Sequence, residues 1–253
     1  MWSGETRFVV SQLVLKDYKI RYRNMSLGIF WSLLNPLVMM AVYTFVLTKI
    51  FVRPEPAFPV FLMCGMIPVG FFQIAWLSGT TSLVENSGLI KKVPLPREVV
   101  PVASVLSNAL HLGIQLGLLA GLAILFGKYP NRYWLLIPPI WASFVLFISG
   151  LSLITAPLNV YVRDTRYIVE SINLVMIWLV PVFYPFSIIP EKYHPLFYYN
   201  PVSALTMAMR DIVLEGHAPA TSLVLRLIGV SLAVPVVGYF VFRRMKGRFY
   251  NHL

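Results

Sequence analysis

The chain has 253 residues, of which 58% are hydrophobic and only 12% are charged, and its mean hydropathy is +0.73. Soluble domains carry about 25% charged residues, so the composition argues against a water-soluble enzyme or a nucleic-acid-binding protein and indicates an integral membrane protein. The formal net charge of +11 fits basic loops that orient the chain in a bilayer and face anionic lipid. A single cysteine, Cys64, excludes an internal disulfide and a cysteine metal cluster.

The first 23 residues form an amphipathic segment that is too polar to span a membrane. Gln12, Lys16, Lys19 and Arg23 recur at helical spacing as one polar stripe, and apolar residues cover much of the remaining surface. This pattern predicts a helix that lies on the cytoplasmic membrane surface, with a frayed leader as the alternative. No short apolar region with a cleavage site precedes the first span, so no removable signal peptide is expected.

Six stretches are long and apolar enough to cross a bilayer, which takes about 20 apolar residues. Five of them contain no charged residue, and the sixth contains only Arg226, which lies close enough to one end to reach the interface. The predicted fold is therefore all-α, an integral membrane domain of six transmembrane helices. In that single domain, an interface helix (1–23) precedes the six-span core (24–242) and a basic tail (243–253). The predicted spans are 24–48, 56–84, 99–127, 133–162, 171–190 and 220–242.

Basic residues are concentrated on one side of these spans. The N-terminal segment, the loops after the second and fourth spans and the C-terminal tail hold 14 of the 21 basic residues. The positive-inside rule places this side, with both termini, in the cytoplasm. The sequence thus predicts a multi-pass protein of the cytoplasmic (inner) membrane.

The loop after the second span reads ENSGLIKKVPLPRE, and its two prolines stop a helix from continuing. Residues 86–92 are predicted to form one or two helical turns that present Leu89 and Ile90 beside Lys91 and Lys92. A solvated connector is the plain interpretation. Apolar side chains exposed to the cytoplasm favour a docking surface for another protein.

The third span carries Gly113, Gly117 and Gly121, two overlapping steps that let another helix approach closely. The sequence leaves open whether that helix belongs to the same chain or to another subunit.

Residues 185–219 hold five prolines and several aromatic residues. This segment is too apolar for an exposed loop and too often interrupted by proline to form a membrane-spanning helix. These features predict external re-entrant or interfacial short helices between spans five and six, next to a transport path.

Aromatic residues make up 14% of the chain, and interfacial belts explain only part of them. A pore without charge that is lined by aromatic rings suits a sugar chain, because pyranose C–H faces stack on such rings. Ordinary packing is the alternative for each ring. The candidates for channel-facing positions are Phe71, Phe72 and Trp76 in the second span, with Trp178, Phe183 and Tyr184 in the fifth.

The sequence contains no phosphate-binding loop, no HExxH motif and no set of catalytic side chains. The four histidines, His111, His194, His217 and His252, are scattered, so neither a metal site nor a catalytic residue is predicted. The chain is expected to be no enzyme and to bind no cofactor, and any ATP hydrolysis requires a separate subunit.

Four blocks of the sequence resemble one known family. They are KDYKIRYRNMSLGIFWSLLNPLVMMAVYTFV, ENSGLIKKVPLPREVVPVASVLSN, VRDTRYIVESINLVMIWLVPVFYPFSIIPEKYHPLFYYNPVSALTMAMRDIVLEG and the tail FRRMKGRFYNHL. Together they cover most of the chain in the order and at the spacing found in permeases of ABC polysaccharide exporters. These are the Wzm-like subunits that export O-antigen, with capsule and teichoic-acid relatives.

The resemblance implies a homodimer with a channel between its subunits and two copies of a separate ABC ATPase, which binds ATP and Mg. The cargo would be a lipid-linked glycan, with O-antigen favoured. The implied external gate covers about 188–216, and Arg210 and Asp211 there could pair or cap. The candidate residues of this gate are Pro190, Tyr193, Tyr198, Arg210 and Asp211. Pro185, just before the range, is also a candidate. The implied ATPase-docking residues are Lys16, Lys19, Arg21, Arg23, Glu85, Asn86, Leu89, Ile90, Lys91 and Lys92.

Two other functions remain open from the sequence. An integral-membrane enzyme acting on lipid-linked sugars would need an acid near a cavity, and Asp164, Glu191 or Asp211 could serve. A permease of the same fold for drugs or small lipids is the other alternative. The sequence does not distinguish among O-antigen, capsule and teichoic acid as the exported glycan.

Overall fold

The computed structural model describes residues 4–22, 30–50, 57–92, 96–245 and 247, with the side chains of 4–7 and 21–22 left out. Every regular element in this part of the chain is helical, as the composition predicts. The α-helices are α1 Gly4–Tyr22, α2 Phe30–Phe45, α3 Phe58–Glu85, α4 Ser87–Lys92, α5 Val99–Leu125, α6 Ile137–Tyr161, α7 Thr165–Met176, α8 His194–Tyr198, α9 Pro201–Arg210 and α10 Thr221–Met245.

Shorter helical turns extend or connect these helices. A π-helical turn, Val46–Ile50, continues α2, and another, Asp211–Glu215, continues α9. The 3₁₀ turn Arg132–Leu136 leads into α6, and two more, Phe186–Ile188 and Glu191–Tyr193, precede α8.

Within the described residues, five helices are long and apolar enough to cross a membrane. They are Phe30–Ile50, Phe58–Glu85, Val99–Leu125, Arg132–Tyr161 and Thr221–Met245. Each coincides with one of the predicted apolar stretches, so these five spans agree with the sequence analysis.

The predicted fifth span differs, because no continuous helix covers 171–190. Helix α7 starts earlier, at Thr165, and ends after 12 residues at Met176, a rise of about 18 Å. The chain then runs through turns to Pro185. Pro181 and Pro185 donate no backbone hydrogen bond, and the ring of Pro181 would clash with the carbonyl group of Ile177 in a continued helix. The prediction of one continuous helix over 171–190 is therefore wrong.

Helix α3 lies at the centre of the bundle and packs against α5, α6, α7 and α9. Most of its residues are buried, and the middle of the helix contributes to the main apolar core. Helices α6 and α10 form the most extensive contact in the fold. They approach closely where Gly150 faces the backbone of Pro235 and Gly238 faces the carbonyl oxygen of Gly150.

A second apolar cluster closes the end of the bundle that carries α4, here named the α4 end. It joins Leu13 of α1, Ile90 of α4 and Phe242 of α10 to the start of α5 and the end of α6. Polar bonds reinforce it: Lys16 Nζ donates to Asn86 Oδ1 at 2.5 Å, and Ser104 Oγ lies 3.4 Å from Asp17 Oδ2. The N-terminal segment is helical over Gly4–Tyr22, as the sequence predicts. Its position on a membrane surface stays a prediction.

The opposite end, the α8 end, contains the proline-rich segment 185–219. As its prolines predict, the segment is divided into short helical pieces. Helix α9 is the deepest of these: nine of its ten residues, Val202 to Arg210, are buried, and it packs against α3, α6 and α10. Helix α9 is therefore inserted into the bundle, whereas much of the segment before it is exposed.

Candidate functional site

A cavity of about 260 Å³ opens at mid-length of the bundle. Its wall is formed by α2, the middle of α3, α5 and the irregular stretch that follows α7. The cavity therefore lies where the predicted fifth span loses its helical backbone.

Polar side chains without charge line part of this cavity. Asn35 of α2, Gln73 of α3 and Gln115 of α5 contribute amides, and Tyr43 contributes a hydroxyl. Gln73 Nε2 donates to the carbonyl oxygen of Asn173 at 2.8 Å, and Asn173 Nδ2 donates back to the carbonyl oxygen of Gln73 at 3.2 Å. This reciprocal pair ties α3 to α7 beside the cavity. Polar groups within apolar spans typically face a bundle interior or a hydrated path.

Aromatic rings form the other part of the wall. Phe183 and Tyr43 meet edge to face with ring centroids 4.9 Å apart. Trp178 lies next to Phe183, with centroids 6.5 Å apart, and its side chain is 69% exposed. Tyr184 Oη donates to the carbonyl oxygen of Trp178 at 2.9 Å. The three aromatic candidates from the predicted fifth span thus lie together, and Phe183 lines the cavity.

The three candidates from the second span lie elsewhere. Phe71, Phe72 and Trp76 are buried in the core of the chain, and Phe72 packs against Phe144 and Phe147 of α6. The prediction that these three rings face a channel is wrong. Helix α3 is apolar around most of its circumference, so its sequence does not show which of its aromatic side chains point outward.

Side chains from the α8 end hold the irregular stretch after α7 in place. Arg210, buried at the end of α9, donates to the carbonyl oxygen of Val182 at 2.9 Å and to that of Tyr184 at 3.4 Å. Its guanidinium lies over the ring of Phe61 at 3.5 Å. Asn200 Nδ2 donates to the carbonyl oxygen of Leu179 at 3.2 Å. These bonds satisfy backbone carbonyl groups that have no helical partner in this stretch, as irregular backbone within an apolar bundle requires.

The sequence analysis did not foresee this role of Arg210, which it placed beside Asp211. An arginine directly after the apolar and small residues 202–209 was the available signal, because such a charge is retained only where it finds partners. The suggested pairing of Arg210 with Asp211 stays a prediction.

Four of the six gate candidates line a second cavity of about 220 Å³ at the α8 end: Pro185, Tyr198, Arg210 and Asp211. Pro190 and Tyr193 are exposed. Burial raises the pKa of Asp211 to about 6. A gating role for this set stays a prediction.

Asp211, Glu215 and His217 place their possible ligand atoms within 4.8 Å of one another. His217 Nε2 lies 2.7 Å from Glu215 Oε2, and its Nδ1 lies 3.0 Å from the carbonyl oxygen of Ala218. Both contacts raise the pKa of His217, the Ala218 carbonyl more than Glu215. The three groups could hold a divalent cation, but the ion pair between two exposed side chains already accounts for their proximity.

The ATPase-docking candidates lie at the α4 end. Glu85, Lys91 and Lys92 are exposed around α4, as are Lys16 and Lys19 on α1. Asn86 is buried and accepts the hydrogen bond from Lys16. The side chain of Arg21 and all of Arg23 lie outside the described residues.

The apolar pair of α4 does not lie as predicted. Ile90 is buried in the cluster at the α4 end, and Leu89 packs partly buried against it. The prediction that both side chains are presented to the cytoplasm is wrong for Ile90, because α4 turns this side chain into the apolar cluster at the α4 end.

The three glycines of the third span are exposed on α5. A Cβ atom built on Gly113, Gly117 or Gly121 would meet nothing within 4 Å among the described residues. No described helix of the same chain packs against them, so the intramolecular interpretation has no support.

Comparison with known proteins identifies the family of this chain. Residues 9–214 match the ABC-2 type transporter family. An O-antigen export system permease protein, RfbA, of Klebsiella pneumoniae is 30% identical over 92% of this chain and 90% of its own length. The protein of the same name from Myxococcus xanthus is 27% identical over 96% and 94%. A polysialic acid transport protein, KpsM, of Escherichia coli is 20% identical over 83% of each chain. Since the family match spans most of its length, this chain belongs to the ABC-2 type transporter family.

Proposed function

We propose that this chain is the permease subunit of an ATP-driven exporter that moves a lipid-linked polysaccharide, of the O-antigen type, across the cytoplasmic membrane. Relatives at about this length are named for O-antigen export and polysialic acid transport, and the family match covers residues 9–214. Among those names, O-antigen export belongs to the relatives that share more of this sequence.

One structural observation carries the transport function. The backbone between Met176 and Pro185 is irregular at mid-length of an apolar bundle, and Arg210 and Asn200 bind its carbonyl groups beside a polar cavity. Irregular backbone at membrane depth is tolerated where protein buries it or where it lines a hydrated path, and broken helices are common at transport sites.

The working assembly extends this proposal. Two copies of the chain would enclose the channel, and α7 with the stretch up to α8 would complete a sixth, discontinuous crossing. Both termini would lie in the cytoplasm, where α1 and α4 contact two ATPase subunits that bind ATP and Mg. The exposed Lys16, Lys91 and Lys92 support this docking face, and the α8 end would then be external.

The enzyme alternative finds less support. Asp164 and Glu191 are exposed, and the described residues that line the mid-bundle cavity include no acid. Asp211 is half-buried at the α8 end and lines the other cavity. A permease for drugs or small lipids has no observation in its favour, because the relatives' names specify polysaccharides.

The test is to isolate the chain in mild detergent with its candidate ATPase and to determine the composition by mass. We expect two permeases with two ATPases, and restored surface glycan when the chain is returned to a strain deleted for it. A chain that never retains an ATPase, even with trapped nucleotide, would overturn the proposal.

A further inference from the structure

We propose that the mid-bundle cavity is a subsite for one uncharged hexose residue of the passing glycan, held by the amides of Asn35, Gln73 and Gln115. This inference rests on the proposed export function. It adds to that function the residues that contact the cargo and the kind of sugar that they accept.

The first argument is the chemistry of the amides. Each amide offers donors and an acceptor, and each sugar hydroxyl group can both donate and accept. The amide groups of Asn35 and Gln115 make no hydrogen bond within the described part of the chain. Asn35 is exposed and Gln115 is half-buried in the single chain, and polar groups of an apolar span are costly in a bilayer unless they are satisfied. A ligand or water that supplies hydroxyl groups would satisfy them.

The second argument is position. The three amides come from three different helices, and Gln73 is fixed by its 2.8 Å bond to the carbonyl oxygen of Asn173. In the same cavity wall, Phe183 and Tyr43 meet edge to face and give an apolar surface for the C–H face of a sugar ring. The volume of about 260 Å³ falls below that of drug-sized sites, about 300 to 1,000 Å³, and fits a single ring.

The third argument is charge. Neither an acidic nor a basic side chain is among the described residues that line the cavity. A sugar acid would bring a carboxylate into this wall without a cation to pair it, which is costly in an apolar bundle. The subsite therefore fits neutral hexoses and disfavours a polyanionic chain such as polysialic acid.

Gly70 provides a direct test because it lines the cavity, and a Cβ atom added there would meet nothing within 4 Å. The variant Gly70→Leu should fill the subsite without displacing the protein. Gly229→Leu is the matched control: Gly229 is an exposed glycine of α10 that also has open space around it. Each variant is expressed in cells that synthesise a neutral hexose O-antigen and lack their own permease.

We expect Gly70→Leu to lower surface O-antigen at least tenfold, with unchanged permease level and unchanged retention of the ATPase, while Gly229→Leu exports normally. Export by Gly70→Leu within twofold of the control would overturn the subsite. The wild-type chain separates the two proposals: if it exports nothing, the export function itself fails.

Two further arms address specificity. Gln115→Leu keeps nearly the same volume and removes the amide, so it should lower export severalfold even if both glycine variants lose activity. Normal export by Gln115→Leu would contradict the role of the amides.

The second arm tests the preference for neutral sugars. Cells that synthesise polysialic acid should show no surface polymer with the wild-type chain, and efficient export of that polymer would overturn this preference.

Discussion

At the scale of single residues, Arg210 has the largest structural role that the sequence did not reveal. It is buried, binds two backbone carbonyl groups and stacks on Phe61. A charged donor contributes about 1.5 to 3 kcal/mol per hydrogen bond, and a desolvated cation–π contact adds about 2 kcal/mol. We expect Arg210→Met to lower the free energy of unfolding by about 3 kcal/mol or more and the melting temperature in detergent accordingly.

Arg226 offers the matched control for this prediction. It is exposed, and its guanidinium lies 5.6 Å and 5.4 Å from the rings of Tyr198 and Tyr199. An exposed contact of this kind contributes about 0.5 to 1 kcal/mol, so Arg226→Met should change the melting temperature little. Equal melting temperatures for the two variants would mean that Arg210 does not hold the stretch after α7.

Asp211 is the residue for which a pH dependence is expected. Its pKa is raised by burial from 3.8 to about 6 in the folded chain. Between those values the unfolded chain releases a proton that the folded chain keeps, so this group's contribution to stability is lost as the pH rises through about 6. The variant Asp211→Asn should be more stable than the wild type at pH 7 and equal to it near pH 4. Melting curves of both proteins across this range test the prediction, and a constant difference would contradict it.

At the scale of elements, two sets of glycines separate packing within the chain from packing between chains. A Cβ atom on Gly150 would lie 2.5 Å from the backbone nitrogen of Pro235, whereas one on Gly117 would meet nothing within 4 Å among the described residues. We expect Gly150→Ala to force α6 and α10 apart and to cost about 2 to 3 kcal/mol. Gly117→Leu should leave the melting temperature of the protomer unchanged and lower the fraction of dimer.

The measurements for this pair are thermal stability and mass in detergent. A fully dimeric Gly117→Leu would contradict an interface at α5. A stable Gly150→Ala would mean that the α6–α10 contact is looser than the structure has it.

Hydrophobic length alone predicts five of the helices, because a stretch of about 20 apolar residues has no other stable conformation in a bilayer. It fails at 171–190, where composition is apolar but Pro181 and Pro185 remove helical hydrogen bonds. It fails again for Phe72 in α3, since a helix that is apolar around most of its circumference does not show which aromatic side chains point outward. The amides at Asn35 and Gln115 were the better signal for the cavity. Polar residues in apolar stretches require a partner or a cavity, whereas aromatic residues require neither.

At the scale of the whole molecule, the two ends of the bundle are built differently. The α8 end inserts α9 into the core and binds the broken backbone beside the cavity. At the α4 end, Lys91 and Lys92 are exposed, whereas Ile90 and Leu13 are buried in the apolar cluster. Lys16 of α1 donates a hydrogen bond to Asn86 at the end of α3, and α3 also carries Gln73. A force applied to α1 or α4 would therefore act directly on the helix that lines the cavity.

This arrangement predicts that docking depends on the charge of α4 and folding on its apolar side. The double variant Lys91→Glu, Lys92→Glu should lower the amount of ATPase retained in detergent at least fivefold at an unchanged melting temperature, because both side chains are exposed. Lys192→Glu, an exposed charge reversal near the opposite end, should retain the ATPase fully. Ile90→Asp should instead lower the melting temperature, since it places a charge in the apolar cluster. Undiminished retention by the double variant would contradict docking through α4 and would leave α1 as the remaining candidate surface.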